Sequence, residues 1–294
     1  FQFTQHVILD NNQPKKNLLG TRDPVTSFSL CDKKITKTTI TTFTLDNEDN
    51  LIPLDEVKVS YKCFTNTCDI GTTNLENDNS ILEENFPQCI NGLVTGEKDG
   101  YHKGTAFAST NQESSVSLVL EPFYEKNLEL KLINKNNGEI RNLLEKEQVL
   151  VKFESLDNDY SFLITSPETN NINLIPGNYK ISLYVNSENI NGIKIEGGEI
   201  ENCISVPKAG LLGLLFDETK CVKTNLESFV LDQALIGGVE FEIEIKRNDL
   251  ANSNKITLYS IYDKIPSTNQ ELLKVNEDIS INAQNQYFKY PELK

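Results

Sequence analysis

The chain has 294 residues, a formal net charge of −15 and an apolar content of 38%. That balance excludes the nucleic-acid backbone as a principal partner, because phosphate binding calls for lysine and arginine surfaces. The longest apolar runs, such as 211–216, fall far short of the roughly 20 residues a membrane-spanning helix needs, so no spanning segment is expected, and the length accommodates two domain cores.

Residues 1–30 read as an N-terminal arm or the tail of a preceding module. Phe1, Phe3 and the run Val7-Ile8-Leu9 are apolar strand segments with no partner strand nearby in sequence. Such a strand either completes the sandwich of its own chain or pairs with a neighbouring subunit. Beyond it, short alternating segments recur at 35–45, 56–62, 92–97, 115–120, 128–133, 149–153, 160–164, 179–185, 192–196, 239–245 and 255–262. Clusters of Asn, Asp, Gly and Pro at 46–50, 73–80 and 134–138 separate them. Residues 139–147 fit one short helix, and 226–236 fit either helix or strand. Strands at this spacing, with so little helix between them, predict an all-β fold of tandem antiparallel β-sandwich modules, Ig-like or prealbumin-like. The expected division is 1–30, a cysteine-rich module at 31–112, and a larger sandwich at 113–294 whose tail beyond 264 is irregular. The polar stretch 109–115 is the expected linker.

Six cysteines punctuate this pattern: Cys31, Cys63, Cys68 and Cys89 in the first third, Cys203 and Cys221 in the last. An even number, grouped around β-rich sequence, reads as disulfides formed in an oxidising compartment. The first four allow three pairings. A zinc site is the rival reading, because Cys63-x4-Cys68 has compatible spacing, but a second close pair is lacking. Cys203 and Cys221 enclose Leu211, Leu212, Leu214, Leu215 and Phe216, with Gly210 and Gly213 between. These apolar residues form either a docking tip or a segment folded into the core.

Asp46-Asn47-Glu48-Asp49-Asn50 offers oxygen ligands for Ca²⁺ but lacks the glycine and distal glutamate of an EF-hand loop, which favours a solvated hairpin turn. His6 and His102 are the only histidines. There is no Gly-x-Ser-x-Gly elbow, no His-Glu-x-x-His and no phosphate-cradling glycine loop. No catalytic residue, cofactor or metal is therefore assigned, and His102 reads as a surface residue at a strand end.

Two segments carry a family likeness. Residues 42–63 run from a strand through the acidic turn to Ile52-Pro53-Leu54 and the alternating Val57, Val59 and Tyr61; Asp99-Gly100-Tyr101 closes a later strand. Pro176-Gly177 precedes Tyr179, Ile181 and Leu183 in the same manner. These segments resemble the carboxypeptidase regulatory-like β-sandwich family and the related B-type repeats of bacterial surface adhesins. The additions Cys63-x4-Cys68 and Pro87-Gln88-Cys89 depart from that module and are similar to cell-surface proteins of small-genome archaea. The resemblance implies a secreted structural or adhesive module without catalytic residues. The function expected is thus an extracellular structural protein of a surface layer, filament or stalk, partnered by copies of itself or by neighbouring surface subunits. The alternative is an adhesin-like module that recognises a glycan or host protein through loops at one sandwich end.

Overall fold

The computed structural model describes residues 30–207 and 217–294. After a 3-10 turn at Leu30–Asp32, the first group of strands is β1 (Lys34–Leu45), β2 (Leu51–Pro53), β3 (Lys58–Cys63), β4 (Asn66–Thr72), β5 (Asn74–Glu76), β6 (Asn79–Pro87), β7 (Gly92–Glu97), β8 (Tyr101–His102), β9 (Gly104–Ala108), β10 (Ser114–Val119) and β11 (Glu121–Pro122). They make one sheet in the order β10-β1-β6-β5, with β2 on β1, and a second in the order β4-β3-β7-β9. Period-two alternation turns Ile40, Val59, Tyr61, Val94, Val116 and Leu118 toward the space between the sheets, where they are buried. The fully buried Tyr61 donates its hydroxyl to Ala108 O at 3.1 Å. A Cβ at position 92 would lie 2.2 Å from that hydroxyl, so this position requires Gly92.

The second group is β12 (Tyr124–Asn134), β13 (Ile140–Arg141), β14 (Glu147–Ser155), β15 (Ser161–Ser166), β16 (Asn171–Leu174), β17 (Gly177–Ile195), β18 (Gly198–Pro207), β19 (Asp217–Leu226), β20 (Phe229–Ile245), α1 (Arg247–Ala251), β21 (Lys255–Tyr262), α2 (Asn269–Ile279) and β22 (Glu292–Leu293). Its main sheet runs β13-β12-β21-β20-β17-β14-β15, with β16 on β12 and β22 on β21. The ladder between β20 and β21 is a single pair, Gly237 with Tyr262, and residues from both halves of the sheet share one core. β18 and β19 form a two-stranded ribbon of their own.

The fold is all-β in architecture, and most neighbouring strands are antiparallel. Two pairs are parallel, β1 with β10 and β12 with β21, so each group closes by laying its last long strand beside its first. No helix among the described residues is long and apolar enough to cross a membrane.

Several expectations need correction. The polar stretch 109–115 is not a boundary: β10 begins within it at Ser114 and pairs with β1, and its Val116 and Leu118, with Leu120 just after it, belong to the first core. That core therefore extends beyond residue 112. Residues 139–147 are not helical, because Arg141 and Glu147 hold this stretch as a broad turn between β13 and β14, with Arg141 Nη1 and Nη2 donating to the Glu147 carboxylate at 2.6 and 2.7 Å. The ambiguous 226–236 is strand from Phe229 onward. The tail beyond 264 contains α2, whose N-cap Thr268 accepts a hydrogen bond from Glu271 N at 3.2 Å.

Candidate functional site

The connection between the two groups is fastened at several points. Glu121 and Pro122 pair with His102 and Tyr101, and Phe123 N donates to Gly100 O at 2.9 Å. Gly100 has φ +84°, as the third residue of the turn that Lys98 O and Tyr101 N close at 3.1 Å. From the far group, Arg247 at the start of α1 reaches across. Its Nε donates to Asp49 Oδ1 at 2.6 Å and its Nη2 to Glu121 Oε2 at 2.8 Å. The Arg247 side chain is 5% exposed, and its Nη1 has no hydrogen-bond partner among the described residues.

This contact accounts for the acidic turn at 46–50. Asp46 Oδ1 accepts from Glu48 N at 2.8 Å and Asn50 N at 2.9 Å, and the hydrogen bonds from Asn50 hold its carboxyl below the ordinary range. Asp49, with φ +63°, faces Arg247, so the turn's carboxylates serve the turn itself and the module contact.

Beside the connection lies a cleft of about 620 Å³ lined from both groups. Its floor is aromatic: Tyr160 lies 5.5 Å from Phe123 and 5.3 Å from the His102 ring, centroid to centroid. Burial pushes the Tyr160 phenol up to about 12, and its hydroxyl donates to Asn173 O at 2.5 Å, which fixes the ring. His102 is not the surface residue expected; its side chain is 14% exposed. Nε2 lies 3.5 Å from Asp159 Oδ1, and burial holds the imidazole below its ordinary value while Asp159 opposes that shift. Lys103 Nζ lies 2.7 Å from Asp159 Oδ2 and keeps that carboxyl ionised well below its usual range. Lys98 donates to Asp55 O at 2.7 Å. Lys58 and Glu97 complete walls in which cations and carboxylates nearly balance.

The second notable geometry is the arm. β17 and β20 pair from Gly177 and Ile245 out to Ile195 and Phe229, with register shifts after Val185 and after Glu188. β18 and β19 carry the ribbon on from Gly198↔Leu226 to Pro207↔Asp217. Its base is held by the tail: Glu196 N donates to Ser267 O at 2.8 Å, and Ile193, Ile195 and Ala234 form a small buried cluster. Cys203 and Cys221 sit directly opposite each other in the ribbon and are bonded, with Cα atoms 4.0 Å apart.

In the first group Cys31 bonds Cys68 and Cys63 bonds Cys89. All six cysteines are thereby used, and no thiolate remains for zinc. The partner-binding candidates Phe1 and Phe3, and Leu211, Leu212, Leu214, Leu215 and Phe216, lie outside the described residues. Sequence reasoning missed Arg247, Asp159, Phe123 and Tyr160. One signal was available for the first: Arg22, Arg141 and Arg247 are the only arginines in the chain, and Arg247 comes two residues after the end of β20.

No family model matches the chain, and no curated protein matches it. Among solved structures it is similar to the shaft pilin SpaA from Lactobacillus rhamnosus GG, with a TM-score of 0.22 and 11% identity over 78% of this chain and 98% of that one. It is similar to the Bacillus anthracis TIE protein at a TM-score of 0.23 and 12% identity, over 79% of this chain and 51% of that one. A leucine-rich repeat protein from Bacteroides thetaiotaomicron VPI-5482 matches with a TM-score of 0.21 and 9% identity; the match covers 80% of this chain and 27% of that one. Scores this low carry no argument about function.

Proposed function

We propose that this chain is an extracellular structural subunit that builds or decorates a cell surface as part of a layer, filament or stalk. The observation that carries this reading is the arm, a ribbon paired from Gly198↔Leu226 to Pro207↔Asp217 that continues β17 and β20, with Val222 61% exposed along it. A lone two-stranded ribbon is marginal in water. The Cys203–Cys221 bond, closing a separation of 18 residues, offsets this by about 3 kcal/mol on loop-entropy grounds, so the arm is formed before any partner arrives. Leu211, Leu212, Leu214, Leu215 and Phe216 then contact a neighbouring subunit, and Phe1 and Phe3 supply a second contact. Three disulfides fit folding outside the reducing cytosol.

The test is light scattering and negative-stain microscopy of the full chain over rising concentration. Ordered oligomers should form, and they should disappear in a Leu211→Asp, Leu214→Asp double variant whose circular dichroism is unchanged. A wild-type chain that stays monomeric to its solubility limit removes the reading.

The cleft favours a second reading, a module that binds a surface glycan. A charge-balanced cleft with an aromatic floor suits a neutral ligand that has one apolar face and many hydroxyls. Isothermal titration against a glycan panel tests it: Tyr160→Ala should abolish the heat of any sugar the wild type binds, and silence across the panel discards the idea.

A further inference from the structure

Two apolar surfaces stay uncovered among the described residues, and they lie at opposite ends. The first is on the outer face of the β4-β3-β7-β9 sheet. The register sets Thr67, Lys62, Leu93 and Phe107 side by side in one row across its four strands. Phe107 is 78% exposed, Phe64 in the β3–β4 turn 87%, and Ile90 69%, the three most exposed large hydrophobic residues among those described. The Cys63–Cys89 bond, with Cα atoms 6.2 Å apart, brings their neighbours Phe64 and Ile90 to the same end of the module. Large hydrophobics gathered at this exposure mark a contact surface, not scattered surface residues. It is the end away from the second module, because β7 runs from Gly92, opposite Ala108, to Glu97 and then into the connecting turn at Gly100.

The second surface is the arm. Residues 221–226 of β19 are all exposed, so both faces of the ribbon are open there. Strand alternation and the pairs Val222↔Asn202 and Leu226↔Gly198 put positions 200, 204 and 206 on the same face as Val222 and Leu226. Those positions are Ile200, Ile204 and Val206, whereas the alternate positions of both strands hold no Val, Leu, Ile or aromatic residue. The ribbon is therefore amphipathic, with nothing described against its apolar side. β17 and β20 meet the connection at Gly177↔Ile245, beside Arg247, and lead away from it to the ribbon. The described hydrogen bonds and ion pairs between the modules all gather at that connection. The modules are thus joined end to end, and the arm points away from the patch of its own chain.

We propose that the apolar face of the arm docks on the Phe64, Ile90 and Phe107 patch of a second copy of this chain. Charge supports the pairing. The row across the patch holds Lys62 and no carboxylate, while β18 and β19 hold Glu199, Glu201, Asp217 and Glu218 against Lys220 and Lys223. A contact between two different surfaces is heterologous, and surfaces at opposite ends repeat it head to tail into a filament. This docking rests on the assembly reading and supplies the surface that receives the arm.

Two double variants of the full chain, each checked for unchanged circular dichroism, separate the two surfaces. Phe64→Asp, Phe107→Asp removes the patch and keeps the arm; Val222→Asp, Leu226→Asp does the reverse. In analytical ultracentrifugation the wild type should form a ladder of oligomers and each variant alone should stay monomeric. An equimolar mixture of the two should give a dimer and nothing larger, because one intact arm then meets one intact patch. A photoreactive benzoyl-phenylalanine at position 107 of the otherwise unchanged chain should cross-link to β18 or β19 of another copy. A patch variant that still assembles, a mixture that stays monomeric, or a cross-link to any other segment overturns the docking and leaves the assembly reading standing. A wild type that stays monomeric overturns both.

Discussion

The two modules share a frame and fill it with different chemistry. Both lay the first long strand parallel to the last, yet the first core gathers fourteen buried apolar residues and the second twenty. The shortfall is visible on single strands. The inward positions of β1 are Thr36, Thr38, Ile40, Thr42 and Thr44, whereas those of β14 include Val149, Val151 and Phe153. A buried threonine hydroxyl is costly unless it finds a partner: Thr42 donates to Leu54 O at 2.6 Å and lies 2.8 Å from Ser80 Oγ, whereas the Thr44 hydroxyl has no hydrogen-bond partner among the described residues. Such hydrogen bonds each contribute modestly. The smaller core accordingly carries two disulfides, while the larger core contains none. What the difference teaches is that, among the described residues, the disulfides lie in the smaller core and in the two-stranded ribbon, and none in the larger core.

The most damaging test of that contrast is a cavity in the second core. Phe153 is fully buried, stacks on Phe162 at 4.8 Å and meets Tyr179 edge-on at 6.1 Å. Phe153→Ala should cost the second module about 3–5 kcal/mol. Calorimetry should show its transition falling alone. If the first transition drops by the same amount, the two cores unfold as one unit and the contrast fails.

The reciprocal test removes a staple. Cys63 and Cys89 close a separation of 26 residues, so the Cys63→Ser, Cys89→Ser double variant should lose roughly 3–4 kcal/mol in the first module. The second module's denaturation midpoint should stay where it was. A loss well below 1 kcal/mol in the first module would mean that its threonine-lined core stands without the bond.

Arg247 sharpens the comparison where the two modules meet. Its side chain is buried, but its partner Asp49 is 73% exposed, which discounts the usual cost of breaking a buried pair to about 2 kcal/mol. Arg247→Met keeps the aliphatic stem and removes the charge. Small-angle scattering should then report a broader spread of module orientations, and the transition of the less stable module should fall by a few degrees, since it loses the contact first. A scattering profile identical to wild type would show that β8, β11 and Phe123 alone hold the modules together.

What could be read beforehand follows the same division. Strands with clean apolar alternation were legible: β7 and β21 span the residues that their patterns predict, Gly92–Glu97 and Lys255–Tyr262. The β4–β6 region was not, because its strands are rich in Asn, Thr and Glu. Its fully buried positions Thr73 and Ser80 look like turn residues until their hydrogen bonds are seen. α2 announced itself only through the Thr-x-x-Glu pattern at Thr268 and Glu271. The cleft was beyond reach, since His102, Phe123 and Tyr160 meet only once both modules are built and no local period links them. The acidic turn was noticed for a cation, but the cation it meets is a guanidinium 198 residues away.

The smallest effect belongs to His102, and it tests the same contact by pH. Burial between the Phe123 and Tyr160 rings disfavours the imidazolium, Asp159 and Glu121 favour it, and Lys103 opposes it. Burial dominates, so the folded value lies below the ordinary 6.5. A histidine whose folded value is depressed contributes stability that is present above 6.5 and is lost as pH falls through that value toward the folded one. The contact between modules should therefore loosen slightly in mild acid, before the carboxylates titrate. An NMR titration of the imidazole should give a midpoint under 6.5, moving further down in Asp159→Asn, where the favourable charge is gone. A midpoint above 6.5 would mean that Asp159 outweighs burial, and the contact would then tighten in mild acid instead.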